Sequence, residues 1–344
     1  MDFDLSETQQ LFRATVERFC GPVDIAARKA RRAHPGGVDR VRWAELAELG
    51  LIGVAAAEED GGMGGSLADC AVVAQALGEG LASDPWLECG FLPARLLAGD
   101  PHLSAVLTGE TIAALAFAEP GRRYRMDART VRSEGGKLYG TKTFVPSGGA
   151  ANLFLVTADT GAGTSVFSVP ADAAGVAVRP YPAADGSIAA ELVLDGAAHG
   201  DPLAADLSAV IDDARILAAA EMTGLAQRLL ADTLDYVKTR EQFGQPIGRF
   251  QVIQHRLVDC YAKVEAMQSA LYRALLVADL PAVSVKGFVA EEAIWVGQQA
   301  VQLHGGMGMT DELAVGHALK RILLLARLFG DPAAGQAALG QEAA

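Results

Sequence analysis

The sequence predicts an α+β chain with a small antiparallel β-sandwich or barrel domain between an N-terminal helical domain and a C-terminal four-helix bundle. Two shifts of pattern predict this order. The apolar spacing is helical up to about Gly109 and again from about Ala209, whereas short apolar runs alternate with Gly, Pro and Asp turns between them. In addition, 344 residues are too many for one ordinary domain. We therefore expect three domains, at residues 1–110, 111–207 and 208–344.

The helices are predicted from their apolar faces and from residues that begin or end helices. Ser6 is a suitable cap for the first helix, whose apolar face extends to Phe19, and Thr310 is the expected cap of the last. The further helices are expected at Val41–Leu49, Leu67–Gly80, Ile216–Thr239, Phe250–Leu280, Val283–Leu303 and Asp311–Phe329. The Ala/Gly-rich tail after Pro332 is expected to be frayed.

Five short apolar runs predict the strands of the middle domain. They are bounded by Gly, Pro and Asp, which is typical of a sandwich or barrel of antiparallel strands. The runs are Ile112–Ala118, Leu153–Thr157, Ser165–Val169, Val176–Val178 and Glu191–Leu194.

Composition and charge exclude several classes of protein. The net charge of −13 argues against nucleic acid as the main partner, because phosphate binding needs a basic surface. Apolar runs are shorter than the roughly 20 residues of a membrane helix, and the acidic start Met1–Leu5 lacks the order of a signal peptide. The cysteines have no CxxC spacing and the histidines no HExxH pattern. We therefore predict a cytoplasmic protein with no metal, nucleic-acid or membrane partner.

Two stretches near the C-terminus combine features of a ligand site. Tyr236–Gln251 reads YVKTREQFGQPIGRFQ, in which Gly244 and Pro246 stop one helix before the next begins. That corner offers an arginine, an aromatic ring and helix-start amides, which suit a pyrophosphate and an adenine. Val301–Thr310 reads VQLHGGMGMT, and its paired glycines allow close approach to the backbone. Taken alone, each stretch is also compatible with a plain connection between two helices.

Together, in this order and at this separation, the two stretches resemble the acyl-CoA dehydrogenase family. The resemblance covers nearly the whole chain. LAELGLIG at Leu46–Gly53 and EEDGGMG at Glu58–Gly64 are similar to the family's N-terminal helical domain. FAEPG at Phe117–Gly121 is similar to the opening of its middle β domain. The resemblance implies the family's fold, with the same succession of helical, β and four-helix domains.

The resemblance also implies FAD as cofactor, bound at a subunit interface. One subunit's β domain holds the flavin ring, and the neighbour's C-terminal helices hold the diphosphate and adenosine. Arg240 is the expected partner of a phosphate oxygen, and Phe243 the expected flat apolar contact. The residues implied to contact the ADP half of a neighbour's FAD are Arg240, Gln242, Phe243, Ile247, Gln251, Gln302, Gly305 and Gly306. The alternative for these residues is ordinary interface packing.

The family's reaction is α,β-dehydrogenation of an acyl-CoA thioester, in which a carboxylate removes the α-proton while a hydride passes to the flavin. Phe329 occupies the position of the usual catalytic glutamate, and Ala214 occupies the alternative position used by some members. Neither side chain accepts a proton, so no catalytic residue is assigned. The nearby carboxylates that remain open as a substitute base are Asp212, Asp213 and Asp331.

The flavin-ring side departs from the family pattern as well. The Gly-Ser-Asp turn expected after Gly121 is replaced by RRYRMD, and the strand that presents Trp-Ile-Thr reads Phe144-Val-Pro146. Proline removes a backbone donor, and the threonine hydroxyl is missing. The arginines of this region face either phosphates or solvent, and we favour solvent. They are Arg122, Arg123, Arg125, Arg129 and Arg132.

The losses therefore fall on one half-site and the retained residues on the other. This asymmetry favours a non-catalytic partner subunit in an α2β2 heterotetramer, whose second acyl-CoA dehydrogenase chain supplies the glutamate and flavin pocket. The chain resembles subunits of actinobacterial heteromeric enzymes that degrade steroid side-chain CoA thioesters, which implies an acyl-CoA substrate and electron-transfer flavoprotein as acceptor. Two alternatives stay open, a self-sufficient homotetramer with an unconventional base and a flavin-free scaffold.

Overall fold

The computed structural model describes residues 4–122, 124–277 and 279–342, in which helices precede and follow a run of strands. The helices are α1 Glu7–Cys20, α2 Ile25–Arg32, α3 Arg40–Glu48, α4 Leu67–Glu79, α5 Leu92–Leu96, α6 Leu103–Leu107, α7 Leu207–Thr239, α8 Gln251–Leu276, α9 Ala282–His304, α10 Ala314–Leu325 and α11 Pro332–Glu342. The strands are β1 Ala113–Ala116, β2 Arg132–Glu134, β3 Lys137–Val145, β4 Leu153–Asp159, β5 Thr164–Pro170, β6 Val176–Pro182, β7 Ile188–Ala198, β8 Glu241–Gln242 and β9 Gln245–Pro246. None of the helices in these ranges is long and apolar enough to cross a membrane.

The structural class changes where the sequence predicts it. The first strand begins at Ala113, β7 ends at Ala198, and α7 begins at Leu207. The predicted succession of a helical, a β and a second helical region is confirmed. The division into three domains stays a prediction.

The chain packs as two compact units. The described residues of one unit fall in the ranges Met1–Ile25, Ala71–Ala82 and Arg215–Ala344, and its core is formed by helices. Those of the other fall in the ranges Ala26–Cys70 and Ser83–Ala214, and it contains β1 to β7. We refer to them as the helical unit and the sheet unit.

In the sheet unit, the described residues form a seven-stranded sheet in the order β1-β4-β2-β3-β7-β6, with β5 paired to β4. Most neighbours are antiparallel, as predicted. However, β1 pairs with β4 in parallel, with Ala113 opposite Leu153, and β2 meets β4 in parallel at Arg132. The sheet is therefore mixed, although its antiparallel pairings dominate.

Each predicted apolar run overlaps a strand, but the apolar pattern predicted neither β2 nor β3, and the resemblance implied a strand only at Phe144–Pro146, where β3 ends. β3 reads KLYGTKTFV, in which Leu138, Lys142 and Val145 are buried. A buried lysine interrupts the apolar alternation by which a strand is recognised. The pattern therefore conceals a nine-residue strand at the centre of the sheet.

Of the two helix caps predicted in the helical unit, one is confirmed and the other was wrong. Ser6 caps α1 through a capping box with Gln9, as predicted. By contrast, Thr310 does not cap α10, because its hydroxyl donates to the Met307 carbonyl at 2.9 Å and α10 begins later.

The tail after Pro332 is helical, so the prediction of a frayed tail was wrong. Asp331 accepts a hydrogen bond from the Ala334 amide at 3.0 Å, and Pro332 occupies the first helical position. The Ser284 hydroxyl in turn donates to the Gly335 carbonyl at 2.8 Å. The described part of the C-terminal region therefore contains α11 in addition to the four predicted helices, which are α7 to α10.

Candidate functional site

The first candidate stretch forms a tight hairpin between α7 and α8. β8 and β9 pair across a turn whose central residues are Phe243, at φ +54°, and Gly244, at φ +79°. Two central residues with positive φ are characteristic of a type I′ turn. The Ile247 amide donates to the Arg240 carbonyl at 2.8 Å and closes the hairpin. The corner is thus a defined structure rather than a loose connection.

Phe243 has features that its own chain does not explain. Its side chain is 92% exposed, and its ring meets that of Phe250 edge-on, with centroids 6.2 Å apart. A left-handed backbone costs a residue other than glycine roughly 1 kcal/mol. An exposed aromatic ring in a strained turn is a feature of ligand-contacting loops.

The second candidate stretch is the turn that follows α9. The helix ends at His304, Gly305 adopts φ +61°, and a 3₁₀ turn continues to Met309, which is 83% exposed. A Cβ on Gly308 would lie 2.7 Å from the Val301 carbonyl oxygen, so the chain's own packing requires that glycine. A Cβ on Gly306 would meet no described atom within 4 Å. The chain's own packing therefore does not require a glycine at position 306, and this glycine leaves space for a bound molecule.

One aromatic contact joins the two stretches. The rings of Tyr236 in α7 and His304 in α9 are stacked, with centroids 4.2 Å apart and planes inclined by 24°. The stack therefore brings the two stretches together within the helical unit. Of the predicted residues, Ile247 is half-buried. The others are exposed, namely Arg240, Gln242, Phe243, Gln251, Gln302, Gly305 and Gly306.

The charge and donors of this surface suit an anion. The exposed Arg240 side chain has no ion-pair or hydrogen-bond partner among the described residues, although the chain carries a net charge of −13. Phe250, at the N-terminus of α8, makes no side-chain cap, and its carbonyl accepts from the Ile253 and Gln254 amides, so the two amides before them stay available. An arginine, free amides, an exposed ring and an open glycine fit the ADP half of FAD.

The turn at the position of the family's base is buried and closely bonded. Phe329 is 1% exposed at φ +58°, and its carbonyl accepts from Arg215 Nε at 2.8 Å. The Lys286 ammonium donates to the carbonyls of Ala326, at 3.2 Å, and Gly330, at 2.6 Å. Arg215 and Lys286 thus hold a turn that presents no titratable side chain at position 329.

Lys286 has the burial and the lowered pKa that are typical of functional residues, and the sequence did not single it out. It lies within α9 and is fully buried, which lowers its pKa to about 7, helped by the nearby charge of Arg215. In the sequence it resembles any lysine of a helix. Its position in a largely apolar stretch, AVSVKGFVA, was the available signal.

The substitute-base candidates are engaged in other contacts. Ala214 is buried, and in the sheet unit Asp213 lies 3.5 Å from Arg95. Burial raises the pKa of Asp213, against the attraction of Arg95. In the helical unit Asp331 caps α11 and pairs with Arg327 at 3.3 Å. Asp212 is half-buried.

The arginine-rich segment of the sheet unit is internally paired. Arg122 and Arg129 both reach Asp127, at 2.6 and 3.2 Å, and Arg132 lies 3.3 Å from Glu134. Arg125 is exposed, and Arg123 lies outside the described residues. These pairings favour the interpretation as a surface loop over that as a phosphate site.

A buried ion pair orders the same segment and was not predicted. Glu119 accepts from the amides of Arg129, Thr130 and Val131 and from Lys142 Nζ at 2.9 Å. Burial raises the pKa of the Glu119 carboxyl, but the Thr130 amide and the Lys142 ammonium outweigh it and lower the pKa to about 2. The carboxylate therefore stays charged and holds the loop after β1.

Two family models match the chain. Acyl-CoA dehydrogenase, N-terminal domain, matches residues 6–89, and acyl-CoA dehydrogenase, C-terminal domain, matches residues 204–333. The acyl-CoA dehydrogenase IpdE2 of Mycolicibacterium smegmatis is 30% identical, over 95% of this chain and 96% of the relative. The acyl-CoA dehydrogenase FadE27 of Mycobacterium tuberculosis is 32% identical, over 84% of this chain and 83% of the relative.

Solved structures give the same result. The steroid acyl-CoA dehydrogenase Tcur3481–Tcur3483 matches with a TM-score of 0.87 and 29% identity, over 97% of this chain and 96% of its own. The ChsE4–ChsE5 complex of Mycobacterium tuberculosis matches with a TM-score of 0.84 and 27% identity, over 100% of this chain and 99% of its own. The chain, with its helical, β and helical regions and its Arg240 hairpin, belongs to the acyl-CoA dehydrogenase family of FAD-dependent oxidoreductases.

Proposed function

We propose that this chain is the non-catalytic subunit of a heteromeric acyl-CoA dehydrogenase and holds the ADP half of a FAD whose flavin ring lies in a catalytic partner subunit. The observation that carries the proposal is the contrast between two positions. Gly306 faces open space and the exposed Arg240 side chain has no partner among the described residues, whereas Phe329 fills the position of the base with a buried ring.

The exposed surface supports the binding half of the proposal. Arg240 supplies a charge-assisted hydrogen bond to a phosphate oxygen, and the ring of Phe243 supplies an apolar contact for the adenosine. Gly306 allows the backbone to approach the diphosphate closely. The remaining contacts are assigned to Gln242, Ile247, Gln251, Gln302 and Gly305.

The buried turn supports the non-catalytic half. Removal of the α-proton requires a base within hydrogen-bond reach of the substrate. A phenylalanine supplies none, and Asp331 is already committed to capping α11 and to Arg327. FAD, when bound, accepts a hydride; this chain's part is to bind and orient the cofactor.

The relatives support a heteromer and a steroid-type substrate. One similar structure is named a steroid acyl-CoA dehydrogenase of two components, and another is a complex of two chains. We therefore propose a cytoplasmic α2β2 assembly that oxidises the CoA thioester of a steroid side chain. Electron-transfer flavoprotein is the proposed acceptor.

Flavin retention in the assembled complex tests the proposal. The chain is co-expressed with an acyl-CoA dehydrogenase chain that carries a glutamate at the base position, and FAD released by heat is measured per complex. Arg240→Gln weakens FAD binding roughly tenfold to a hundredfold, the value of a hydrogen bond to a charged group.

Arg249→Gln is the matched control, because Arg249 is an exposed arginine of the same connection. It retains wild-type flavin. Equal flavin loss in both variants, or none in either, contradicts the assignment of the ADP half to this surface. A complex that assembles without flavin favours the scaffold alternative.

A further inference from the structure

We propose that Tyr236 and His304 are positioning residues that hold the Arg240 hairpin and the Gly305–Met309 turn in the relative placement needed for an ADP moiety. The inference rests on the proposed function and deepens it, because neither residue is among those expected to touch the cofactor. It concerns a stack between residues that are far apart in sequence, one in α7 and one in α9.

The stack is fixed on its histidine side. His304 is 6% exposed, and its Nδ1 lies 2.8 Å from the Ala300 carbonyl oxygen. A carbonyl only accepts, so Nδ1 carries the proton in this contact. The Tyr236 hydroxyl lies 3.5 Å from the His304 carbonyl oxygen, at the long limit of a hydrogen bond. Ring and main chain of His304 are therefore both engaged.

The tyrosine side leads directly to Arg240. The Tyr236 carbonyl accepts from the Arg240 amide at 2.8 Å and from the Thr239 hydroxyl at 3.1 Å. These bonds end α7 and begin the hairpin. A displacement of Tyr236 thus displaces the residue assigned to the phosphate.

The histidine side leads directly to the glycines. Gly305, at φ +61°, follows His304 in the chain, and the turn folds back until a Cβ on Gly308 would lie 3.0 Å from the His304 Cβ. The turn is therefore packed closely against His304. One ring pair therefore couples the two loops, and a shift of about 1 Å in such a site is costly for binding.

A purely structural role predicts a different outcome from a positioning role. A stack that only stabilises α7 against α9 changes the melting temperature and leaves ADP affinity unchanged in the folded protein. A stack that positions the loops changes affinity in proteins that are still folded. In the second case the two single variants are also non-additive, since each breaks the same coupling.

The test uses the complex of this chain with a glutamate-bearing acyl-CoA dehydrogenase partner, freed of FAD, with ADP as the probe. Tyr236→Leu and His304→Leu each weaken ADP binding about tenfold relative to wild type, measured by calorimetry. The double variant weakens it by at most about twentyfold. His304→Phe, which keeps an aromatic ring for the stack, restores most of the affinity. Arg256→Gln is the control, because it removes a 2.8 Å bond between α8 and α9, to Gln299, in the same unit.

Hydrogen exchange of the Gly305–Met309 amides, measured without ADP, provides the second readout. Exchange is faster in both leucine variants and unchanged in Arg256→Gln. Leucine variants that bind ADP like wild type while Arg240→Gln does not would overturn the positioning role and leave the proposed function intact. If the wild type and Arg240→Gln bind ADP equally poorly, the proposed function fails; unchanged amide exchange overturns the inference independently.

Discussion

Phe243 and Phe329 share a left-handed φ and have opposite surroundings. Both adopt a left-handed φ, +54° and +58°, yet the first side chain is 92% exposed and the second 1% exposed. Phe329 is explained by the packing of its own chain and by the cations that hold its turn. Phe243 is exposed, and the proposed function assigns its ring to a contact with the cofactor. The comparison teaches that a retained family motif can be told from a lost one by asking whether the chain's own packing requires the residue.

Truncation of the two rings gives the largest expected difference. Phe329→Ala destabilises the folded chain by about 3–5 kcal/mol, because a buried aromatic leaves a cavity. Phe243→Ala changes stability by less than about 0.5 kcal/mol, as an exposed residue should. Urea unfolding of both variants measures this difference. Similar losses for the two would mean that Phe243 packs against its own chain.

The buried ammonium beside Phe329 predicts an unusual dependence of stability on pH. The pKa of Lys286 is lowered from 10.5 to about 7 by burial, so the unfolded chain binds more protons than the folded chain between these values. Stability from this group therefore rises with pH from about 7 and levels off above 10.5. The rise is on the order of 2 kcal/mol between pH 7 and pH 9.

Comparison with Lys286→Met isolates this effect. The pKa of Lys142 is also lowered, to about 8 by burial, so the wild type contains a second contribution of the same sign. The difference in unfolding free energy between wild type and Lys286→Met should change with pH as described. A difference that is constant from pH 7 to 9 would show that the Lys286 ammonium is not buried in solution.

Relief of the strained hairpin gives a smaller effect of opposite sign. Phe243→Gly stabilises the chain by up to about 1 kcal/mol, because glycine adopts a positive φ without steric cost, less its greater freedom when unfolded. The same variant binds ADP more weakly. Thermal unfolding and calorimetry on one sample check both. A less stable variant would contradict the strained turn.

The smallest expected effect is that of replacing Asp213, whose carboxyl pKa is raised by burial. Asp213→Asn leaves the turnover of the assembled complex unchanged within about twofold, because the partner supplies the base. Asp331→Asn is the companion variant and changes stability rather than turnover, since Asp331 caps α11. Abolished turnover in Asp213→Asn would favour the self-sufficient enzyme.

Local chemistry made some of this structure predictable. Ser6 with Gln9 is a capping box in the sequence, and the apolar runs of β1 and β4 to β7 alternate with turn residues. The residues of the two candidate stretches were likewise identified from their motifs. In these cases each signal lies within a few residues of the structure that it determines.

The remainder depended on contacts between distant residues. Thr310 has the character of a cap but bonds to Met307, and α11 forms where composition suggested fraying, held in part by Ser284. The stack of Tyr236 on His304 joins residues 68 positions apart, and the buried Lys142 of β3 is bonded to Glu119, 23 positions away, and to Thr157, 15 positions away. Sequence periodicity does not carry such pairings.

The most direct test of the central claim is the visible spectrum of this chain, purified first without and then with a glutamate-bearing acyl-CoA dehydrogenase partner, before and after anaerobic addition of acyl-CoA. The account predicts a colourless chain that becomes part of a yellow complex, with one FAD per pair of subunits, bleached by the substrate. A yellow protein that forms without a partner and is bleached by acyl-CoA would contradict it.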